Sequence, residues 1–212
     1  MWQHLLNLKT WKPSSPARVD FVLDNSGFEL YTDLCLAEFL LTEKFCGKVN
    51  FHVKSMPWFV SDVTSEDFAW TLRECCLASG GAVQELGKRW TARMSDGTFN
   101  IVNHNFWTLP YDFAACETVS PELYTQLGES QLVIFKGDLN YRKLVGDREW
   151  PCSTPFSTAL HGFCPAPLCT LRTLKADVCV GLKEGQDTEL SKGEEKWMVS
   201  GNNAVIQFCD SL

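Results

Sequence analysis

The sequence lacks several motifs that would indicate a function directly. It has no Gly-x-Gly-x-x-Gly segment after a strand and no Gly-x-x-x-x-Gly-Lys-Ser/Thr segment, so neither a dinucleotide-binding protein nor a P-loop nucleotide hydrolase is favoured. It has no Cys-x-x-Cys pair, the spacing typical of zinc ribbons and thioredoxin-like redox sites. No apolar run approaches the length needed to cross a bilayer, and the N-terminus carries no sustained apolar segment of the signal-peptide kind.

Positive charge is also scarce. The chain has 19 Lys and Arg residues against 26 Asp and Glu residues, which gives a net charge of -7. This balance argues against a general nucleic-acid or membrane-surface binder, because such proteins rely on clustered Lys and Arg. A small basic site for one phosphate remains compatible with it. With 212 residues, 45% of them hydrophobic, the chain can build one sizeable domain.

Ten cysteines are present, and several lie in apolar segments, among them Cys35, Cys169 and Cys179. Such cysteines behave as small core residues. Because the chain is long and shows no secretion signal, we interpret them as free thiols in a reducing compartment. The expected location is the cytoplasm, with the nucleus as a second compartment.

The order of elements predicts an α/β protein with a largely parallel sheet. Residues 1–17 are interpreted as a tail, with a short helical turn before a linker at Lys12–Pro16, and 18–212 as the α/β domain. A further strand is predicted at 178–182 and a solvated loop at 185–193. The main strands are predicted at 18–23, 49–53, 99–103, 132–135, 168–175 and 204–208.

The segment Arg18–Leu40 carries the first functional signal. A buried strand ends at Asp24-Asn25-Ser26-Gly27, and an apolar helix begins at Phe28. Ligands of open α/β sheets bind at the carboxyl ends of strands, so Asp24 and Asn25 would offer oxygen ligands to a hard cation beside a helix N-terminus. The alternative is that these residues only cap the helix, which is their commonest role.

Polar residues also follow other predicted strands. The short apolar run Phe59–Ser61 ends in Asp62, the predicted strand 132–135 ends near Asp138, Asn140 and Arg142, and the predicted strand 168–175 ends at Arg172 and Lys175. On one parallel sheet these ends would line a single crevice.

Carboxylates, amides and basic side chains at the same edge of a sheet predict a divalent metal beside a phosphate. Asp24, Asn25 and Asp62 would bind the metal, while Arg142 and Lys175 would neutralise phosphate oxygens. The implied reaction is metal-assisted hydrolysis of a phosphate ester. Asp24 could instead be a nucleophile, but a haloacid-dehalogenase-type site would have Asp where Ser26 stands. We therefore favour Asp24 as a metal ligand, with water as the nucleophile.

Five segments together resemble the metal-dependent damage-control phosphatases, in the subfamily marked by an Arg-Thr-x-Lys motif. The similarity runs from about Arg18 to the end of the chain. The segments are Asp24-Asn25-Ser26-Gly27-Phe28-Glu29, Phe59-Val60-Ser61-Asp62, Phe106-Trp107-Thr108-Leu109-Pro110, Phe135-Lys136-Gly137-Asp138-Leu139-Asn140-Tyr141-Arg142-Lys143-Leu144 and Arg172-Thr173-Leu174-Lys175.

The resemblance implies a three-layer α/β/α sandwich and a phosphatase of small sugar phosphates of the fructose 1-phosphate and fructose 6-phosphate type. It implies Mn²⁺ or Ni²⁺ as cofactor, and the oxygen ligands also suit Mg²⁺. The net charge predicts no nucleic-acid or membrane partner. Catalysis and metal binding would fall on Asp24, Asn25 and Asp62. Substrate binding would fall on Asp24, Asn25, Glu29, Asp138, Leu139, Asn140, Tyr141, Arg142 and Lys175.

Two alternatives follow from the same resemblance. The family has also been credited with methylating protein carboxylates with S-adenosylmethionine. Its members are similar over a longer chain with a helical N-terminal region, so this chain is expected to be a truncated form. As such it could be a non-catalytic member that acts through binding alone.

Overall fold

The computed structural model describes residues 1–10 and 16–211 and divides the chain into two compact units, 1–109 and 110–212. The predicted linker Lys12–Pro16 lies, apart from Pro16, outside the described residues. In both units one or two helices separate consecutive strands, and three of the four strand pairs described within the units are parallel. The predicted α/β class with a largely parallel sheet, and the three-layer α/β/α arrangement expected with it, are confirmed.

The first unit contains three parallel strands. Its elements are α1 (Trp2–Thr10), β1 (Arg18–Val22), α2 (Phe28–Thr42), β2 (Lys48–Val53), α3 (Ser65–Leu77), α4 (Gly81–Ser95) and β3 (Phe99–Asn103). β2 lies between β1 and β3, with Val22 opposite His52 and Val53 opposite Asn103. Phe21 in β1 and Phe51 in β2 are fully buried, as expected for a parallel sheet that is covered on both faces.

Parallel pairing places the carboxyl ends of β1 and β2 at one edge of the sheet. The chain leaves β1 at Leu23 and β2 at Lys54. After β2 it runs through a loop before α3, whose first turn is fixed by a capping box between Thr64 and Asp67. The residues that follow these two strands are therefore brought side by side.

Two contacts hold the helices of this unit. A Cβ at Gly87 of α4 would lie 2.5 Å from the backbone nitrogen of Cys76, so α3 and α4 cross where only a glycine fits. Glu38 of α2 is buried and accepts hydrogen bonds from Arg93 (2.6 Å) and Arg89 (3.2 Å) of α4. Burial would raise the pKa of Glu38, but these hydrogen bonds outweigh it and hold the pKa below its ordinary value.

The second unit contains the other three strands. Its elements are α5 (Cys116–Val119), α6 (Pro121–Gly128), β4 (Leu132–Lys136), α7 (Gly137–Leu144), α8 (Phe156–Ala159), β5 (Leu168–Thr173), α9 (Gln186–Gly193) and β6 (Ala204–Cys209). β4 and β5 are parallel, and β6 pairs with β5 in the antiparallel sense. Pro121 occupies the first turn of α6, where its missing amide hydrogen costs no hydrogen bond within the helix.

Three predicted elements are wrong. No strand forms at 178–182: Val178 and Val180 are buried, but their carbonyl groups accept hydrogen bonds from Arg172 and Gln207 instead of a neighbouring strand. The predicted loop at 185–193 contains the helix α9, whose residues are all outside the core. No strand runs through Phe59–Ser61 into Asp62, because both Phe59 and Val60 are exposed in a turn.

Two expectations that concern the whole chain can be compared with the structure. All ten cysteines are free thiols, as predicted, whereas the compartment stays a prediction. Within residues 1–10 and 16–211, no helix combines the length and the apolar character that crossing a bilayer requires.

Candidate functional site

The loop after β1 and the loop before α3 are tied together by their backbones. The amide of Ser26 donates to the carbonyl of Ser61 (2.7 Å), and the amide of Val63 donates to the carbonyl of Asp24 (2.9 Å). Asn25 and Asp62 form an isolated antiparallel bridge. These bonds bring Asp24, Asn25 and Asp62, which the sequence analysis grouped, into one cluster within the first unit.

Lys54 joins the two carboxylates of this cluster. Its Nζ lies 2.7 Å from Oδ1 of Asp62 and 3.5 Å from Oδ1 of Asp24, and its side chain is only 2% exposed. The sequence analysis missed Lys54. A signal was available, because Lys54 directly follows the last residue of β2, the position at which polar residues were sought on other strands.

Asp62 is held in place through both of its carboxylate oxygens. Oδ2 accepts hydrogen bonds from the backbone amides of Trp58 and Phe59, each at 2.8 Å, while Oδ1 faces Lys54. Asp62 therefore organises the turn that precedes it, and the side chains of Trp58, Phe59 and Val60 remain exposed on that turn. The carboxylate reaches the cluster from a loop, since the predicted strand before it does not form.

The side chain of Asn25 has a defined orientation. Its Nδ2 donates to Oδ2 of Asp24 (2.8 Å) and to Oε2 of Glu29 (2.9 Å). Only the amide nitrogen can face two carboxylates, so the carbonyl oxygen must point the other way. There Oδ1 accepts a hydrogen bond from Oγ of Ser61 at 2.6 Å and keeps a second lone pair.

The alternative that Asp24 and Asn25 merely cap α2 is wrong. The N-cap of α2 is Gly27, at φ 68°, and no side chain forms a hydrogen bond to that cap. The polar side chains before the helix are turned to the cluster with Lys54, Glu29 and Ser61 instead.

The cluster carries more negative than positive charge. Burial raises the pKa of Asp24 to about 6, Lys54 opposes this effect, and the nearby carboxylates of Glu29 and Asp62 add to it. A cation placed among these oxygens would stabilise the ionised form of Asp24. Two carboxylates and an amide carbonyl are hard oxygen donors, so the residues fit a divalent cation such as Mg²⁺ or Mn²⁺. Among residues 1–10 and 16–211, no three His, Cys, Asp or Glu side chains are grouped to hold a metal, so the fit depends on Asn25, whose amide must rotate before its oxygen can join the carboxylate of Asp24.

In the second unit, Asp138 anchors the segment that bears Lys175. Its Oδ1 accepts hydrogen bonds from Nε of Arg172 (2.8 Å) and from the backbone amide of Lys175 (3.1 Å). Arg172 is 2% exposed, whereas Lys175 is exposed to solvent. The Arg-Thr-x-Lys motif therefore combines a buried arginine that fixes the backbone with a lysine whose side chain is accessible.

The other predicted substrate residues of this unit differ in accessibility. Arg142 makes a bidentate ion pair with Asp147, at 2.8 and 2.6 Å, which raises the pKa of Arg142. Asn140 is buried and donates to the carbonyl of Lys136 (2.8 Å), and the buried Tyr141 hydroxyl accepts from the amide of Val180 (3.1 Å). In this structure all three side chains bind other parts of the unit.

The chain matches known proteins over most of its length. The model of the damage-control phosphatase ARMT1-like domain matches residues 1–190. Proteins named damage-control phosphatase ARMT1 from Bos taurus, Danio rerio and Homo sapiens are 48%, 50% and 46% identical over 209, 192 and 209 residues. These regions cover 98%, 91% and 98% of this chain but only 47%, 43% and 47% of those relatives, so the chain spans about half their length. The chain belongs to the damage-control phosphatase ARMT1-like domain family.

Proposed function

We propose that this chain is a metal-dependent phosphatase that hydrolyses small sugar phosphates of the fructose 1-phosphate and fructose 6-phosphate type. The observation that carries the proposal is the buried pair of carboxylates, Asp24 and Asp62, whose two loops are joined by backbone hydrogen bonds next to Asn25. The name of the relatives, damage-control phosphatase, supports the reaction class.

The proposed cofactor is Mn²⁺ or Ni²⁺, with Mg²⁺ as a third ion that the oxygen donors suit. Asp24, Asn25 and Asp62 would hold it. When bound, such an ion polarises phosphoryl oxygens and lowers the pKa of a coordinated water. Asp24 is assigned as a ligand and not as a nucleophile, because Ser26 stands where a haloacid-dehalogenase-type site would supply a second aspartate.

The two carboxylates of this cluster are positioned before any cation arrives, whereas Asn25 would have to turn its carbonyl oxygen toward the cation. Lys54 contacts both carboxylates, and the amides of Trp58 and Phe59 fix the carboxylate of Asp62. Side chains that are already oriented lose little entropy on binding a ligand, which favours both affinity and catalysis.

The second unit offers its own candidates for binding a phosphate. Lys175 is an accessible point charge for a phosphate, and the amides in the first turn of α7, which have no acceptor within the helix, can donate to an anion. Arg142 would join by exchanging Asp147 for phosphate oxygens, since both are bidentate acceptors. The proposed substrate contacts are Asp24, Asn25, Glu29, Asp138, Leu139, Asn140, Tyr141, Arg142 and Lys175.

Phosphate release from fructose 1-phosphate in the presence of Mn²⁺ tests this proposal. Asp24→Asn and Asp62→Asn should each lower kcat/KM by about a hundredfold or more, because each removes a charged ligand of the cofactor. Asp96→Asn is the matched control: Asp96 lies in a turn of the same unit, and its Oδ1 accepts from the amide of Thr98. Activity that survives both site variants, or that is unaffected by chelation of the metal, rejects the proposal.

Carboxyl methylation stays the alternative prediction. Calorimetric titration with S-adenosylmethionine tests it, because a methyltransferase must bind that cofactor. Measurable heat of binding together with no phosphate release would favour the methyltransferase. No heat and no phosphate release would favour a non-catalytic member of the family.

A further inference from the structure

We propose that Lys54 is the counter-cation of the metal-free cluster: its ammonium holds the carboxylates of Asp62 and Asp24 in position and opposes the divalent cation that they would bind. Lys54 is thereby a positioning residue that limits metal affinity. The part that concerns the metal rests on the function proposed above, whereas the part that concerns the metal-free protein does not.

The burial of Lys54 is the first observation. Its side chain is 2% exposed, as is the side chain of Asp62, which lies 2.7 Å away. A buried ammonium is stable only when anionic or hydrogen-bonding partners replace water. The backbone amide of Lys54 is bound as well, to the carbonyl of Val63 at 3.0 Å, so the residue is fixed at both ends.

The second observation is that several carboxylates surround the ammonium of Lys54. Asp24, Glu29 and Asp62 provide three carboxylates around Asn25 and Lys54, and the ammonium of Lys54 contacts two of them. Without Lys54, the carboxylates of Asp24 and Asp62 would lose the cation that they share. Like charges that are buried close together repel strongly, so the metal-free loops would be pushed apart.

The third observation concerns which carboxylate oxygens face Lys54. Oδ2 of Asp62 already accepts two backbone amides, so Oδ1 is the atom left for a metal, and Oδ1 is the atom that Lys54 contacts. Oδ1 of Asp24 also faces Lys54. A divalent cation on these oxygens would therefore lie next to the ammonium, and repulsion between the two cations would weaken metal binding.

Thermal melts of the metal-free protein test the first half of the inference. Lys54→Met should lower the Tm by roughly 5 °C or more, because it leaves two buried carboxylates without their cation. Asp62→Asn should also lower the Tm, because it leaves the ammonium under-paired. In the double variant both charges are gone, so its loss should be smaller than the sum of the single losses. Additive losses, or an unchanged Tm for Lys54→Met, overturn the inference.

Titration with Mn²⁺, followed by calorimetry, tests the second half. Lys54→Met should bind Mn²⁺ more tightly than the wild type, on the order of ten- to a hundredfold, because one nearby cation has been removed. A residue that only supported the fold would change affinity in the opposite direction when removed. Lys54→Gln is the second variant, because its amide can still donate to Asp62 and preserve the fold.

Lys88→Met is the control for the loss of one positive charge. Lys88 is exposed on α4 of the same unit, and its substitution should leave the Kd for Mn²⁺ unchanged. Equal or weaker Mn²⁺ binding by both Lys54 variants overturns the inference while leaving the proposed function intact. A wild type that binds no Mn²⁺ rejects the proposed function and the metal half of the inference, and the melts then decide the role of Lys54 in the metal-free cluster.

Discussion

The guanidinium of Arg172 stacks on the ring of Tyr141, with its central carbon 4.2 Å from the ring centroid. The same guanidinium donates to Asp138 and to the backbone carbonyls of Ala176 and Val178. One buried side chain thus fixes the segment after β5 against α7. A planar guanidinium can stack and donate in several directions at once, which an ammonium cannot do.

Arg172→Lys should therefore destabilise the protein although it keeps the charge. We expect the Tm to fall by roughly 5 °C or more, since at least one buried carbonyl loses its donor. Amide hydrogen exchange in residues 174–180 should accelerate more than exchange elsewhere. Arg148→Lys is the control, because Arg148 is half exposed and its carboxylate contact is 3.8 Å long. Equal effects of the two substitutions would contradict this interpretation of the motif.

Asn25 cannot be replaced by aspartate without cost. Asn25→Asp exchanges an amide that donates to Asp24 and Glu29 for a third carboxylate facing them. The Tm of the metal-free protein should fall by about 5 °C or more, and Mn²⁺ should restore more of it than it adds to the wild type, because a cation relieves the repulsion. Asn7→Asp, an exposed substitution that keeps the acceptor for Gln3, should leave the Tm unchanged. A metal-free Tm equal to that of the wild type would refute the orientation of Asn25.

Stability should depend on pH through Glu38. Its pKa is lower in the folded protein than the ordinary value of 4.5, because the hydrogen bonds from Arg93 and Arg89 outweigh the effect of burial. The stabilisation is therefore fully present above pH 4.5 and is lost as the pH falls through the lower pKa of the folded state. Glu38→Gln should lower the Tm at neutral pH, and the difference from the wild type should shrink below pH 4.5. Glu85→Gln, which removes an exposed partner of Lys88, should show no such convergence.

The crossing of α3 and α4 should not tolerate a methyl group at Gly87. A Cβ there would meet backbone atoms of Cys75 and Cys76 at 2.6 and 2.5 Å, and backbone cannot move aside as a flexible side chain can. Gly87→Ala should cost about 1–3 kcal/mol of unfolding free energy. Gly193→Ala in α9 is the matched control, since a Cβ there would meet nothing within 4 Å. A chemical denaturation curve for each variant measures the difference, and equal midpoints would exclude the close crossing.

The main strands could be predicted from the sequence because their patterns are local. Phe21 and Phe135 lie in short apolar runs that end at polar residues, Phe51 lies in a segment of alternating apolar and polar residues, and each segment is a buried strand. The α9 helix was not predicted because it has no buried residue, so its sequence shows no hydrophobic periodicity. Val178 and Val180 suggested a strand because they are apolar, whereas their carbonyl groups are bound by the side chains of Arg172 and Gln207, and no local pattern predicts these contacts.

Part of the candidate site could also be predicted, because it follows from a local sequence pattern. Asp24 and Asn25 follow a strand directly, and ligands of α/β sheets bind at the carboxyl ends of strands, so both residues could be identified. Lys54 also follows a strand, but its contact with Asp62 depends on how the loop between them folds back, and no local pattern encodes that. The ion pair of Arg142 with Asp147 likewise depends on the end of α7, and the sequence analysis treated Arg142 as available.

Trp58, on the turn that Asp62 organises, is an intrinsic fluorescence probe of the first unit. The backbone amide of Trp58 donates to Asp62, and the indole of Trp58 is partly exposed on the same turn. A cation that binds the carboxylate of Asp62 would change the surroundings of the Trp58 indole, four residues earlier in the chain. The fluorescence emission of Trp58 can therefore report cation binding without an added label. Trp58→Phe would remove that contribution and separate it from the signal of the other indoles.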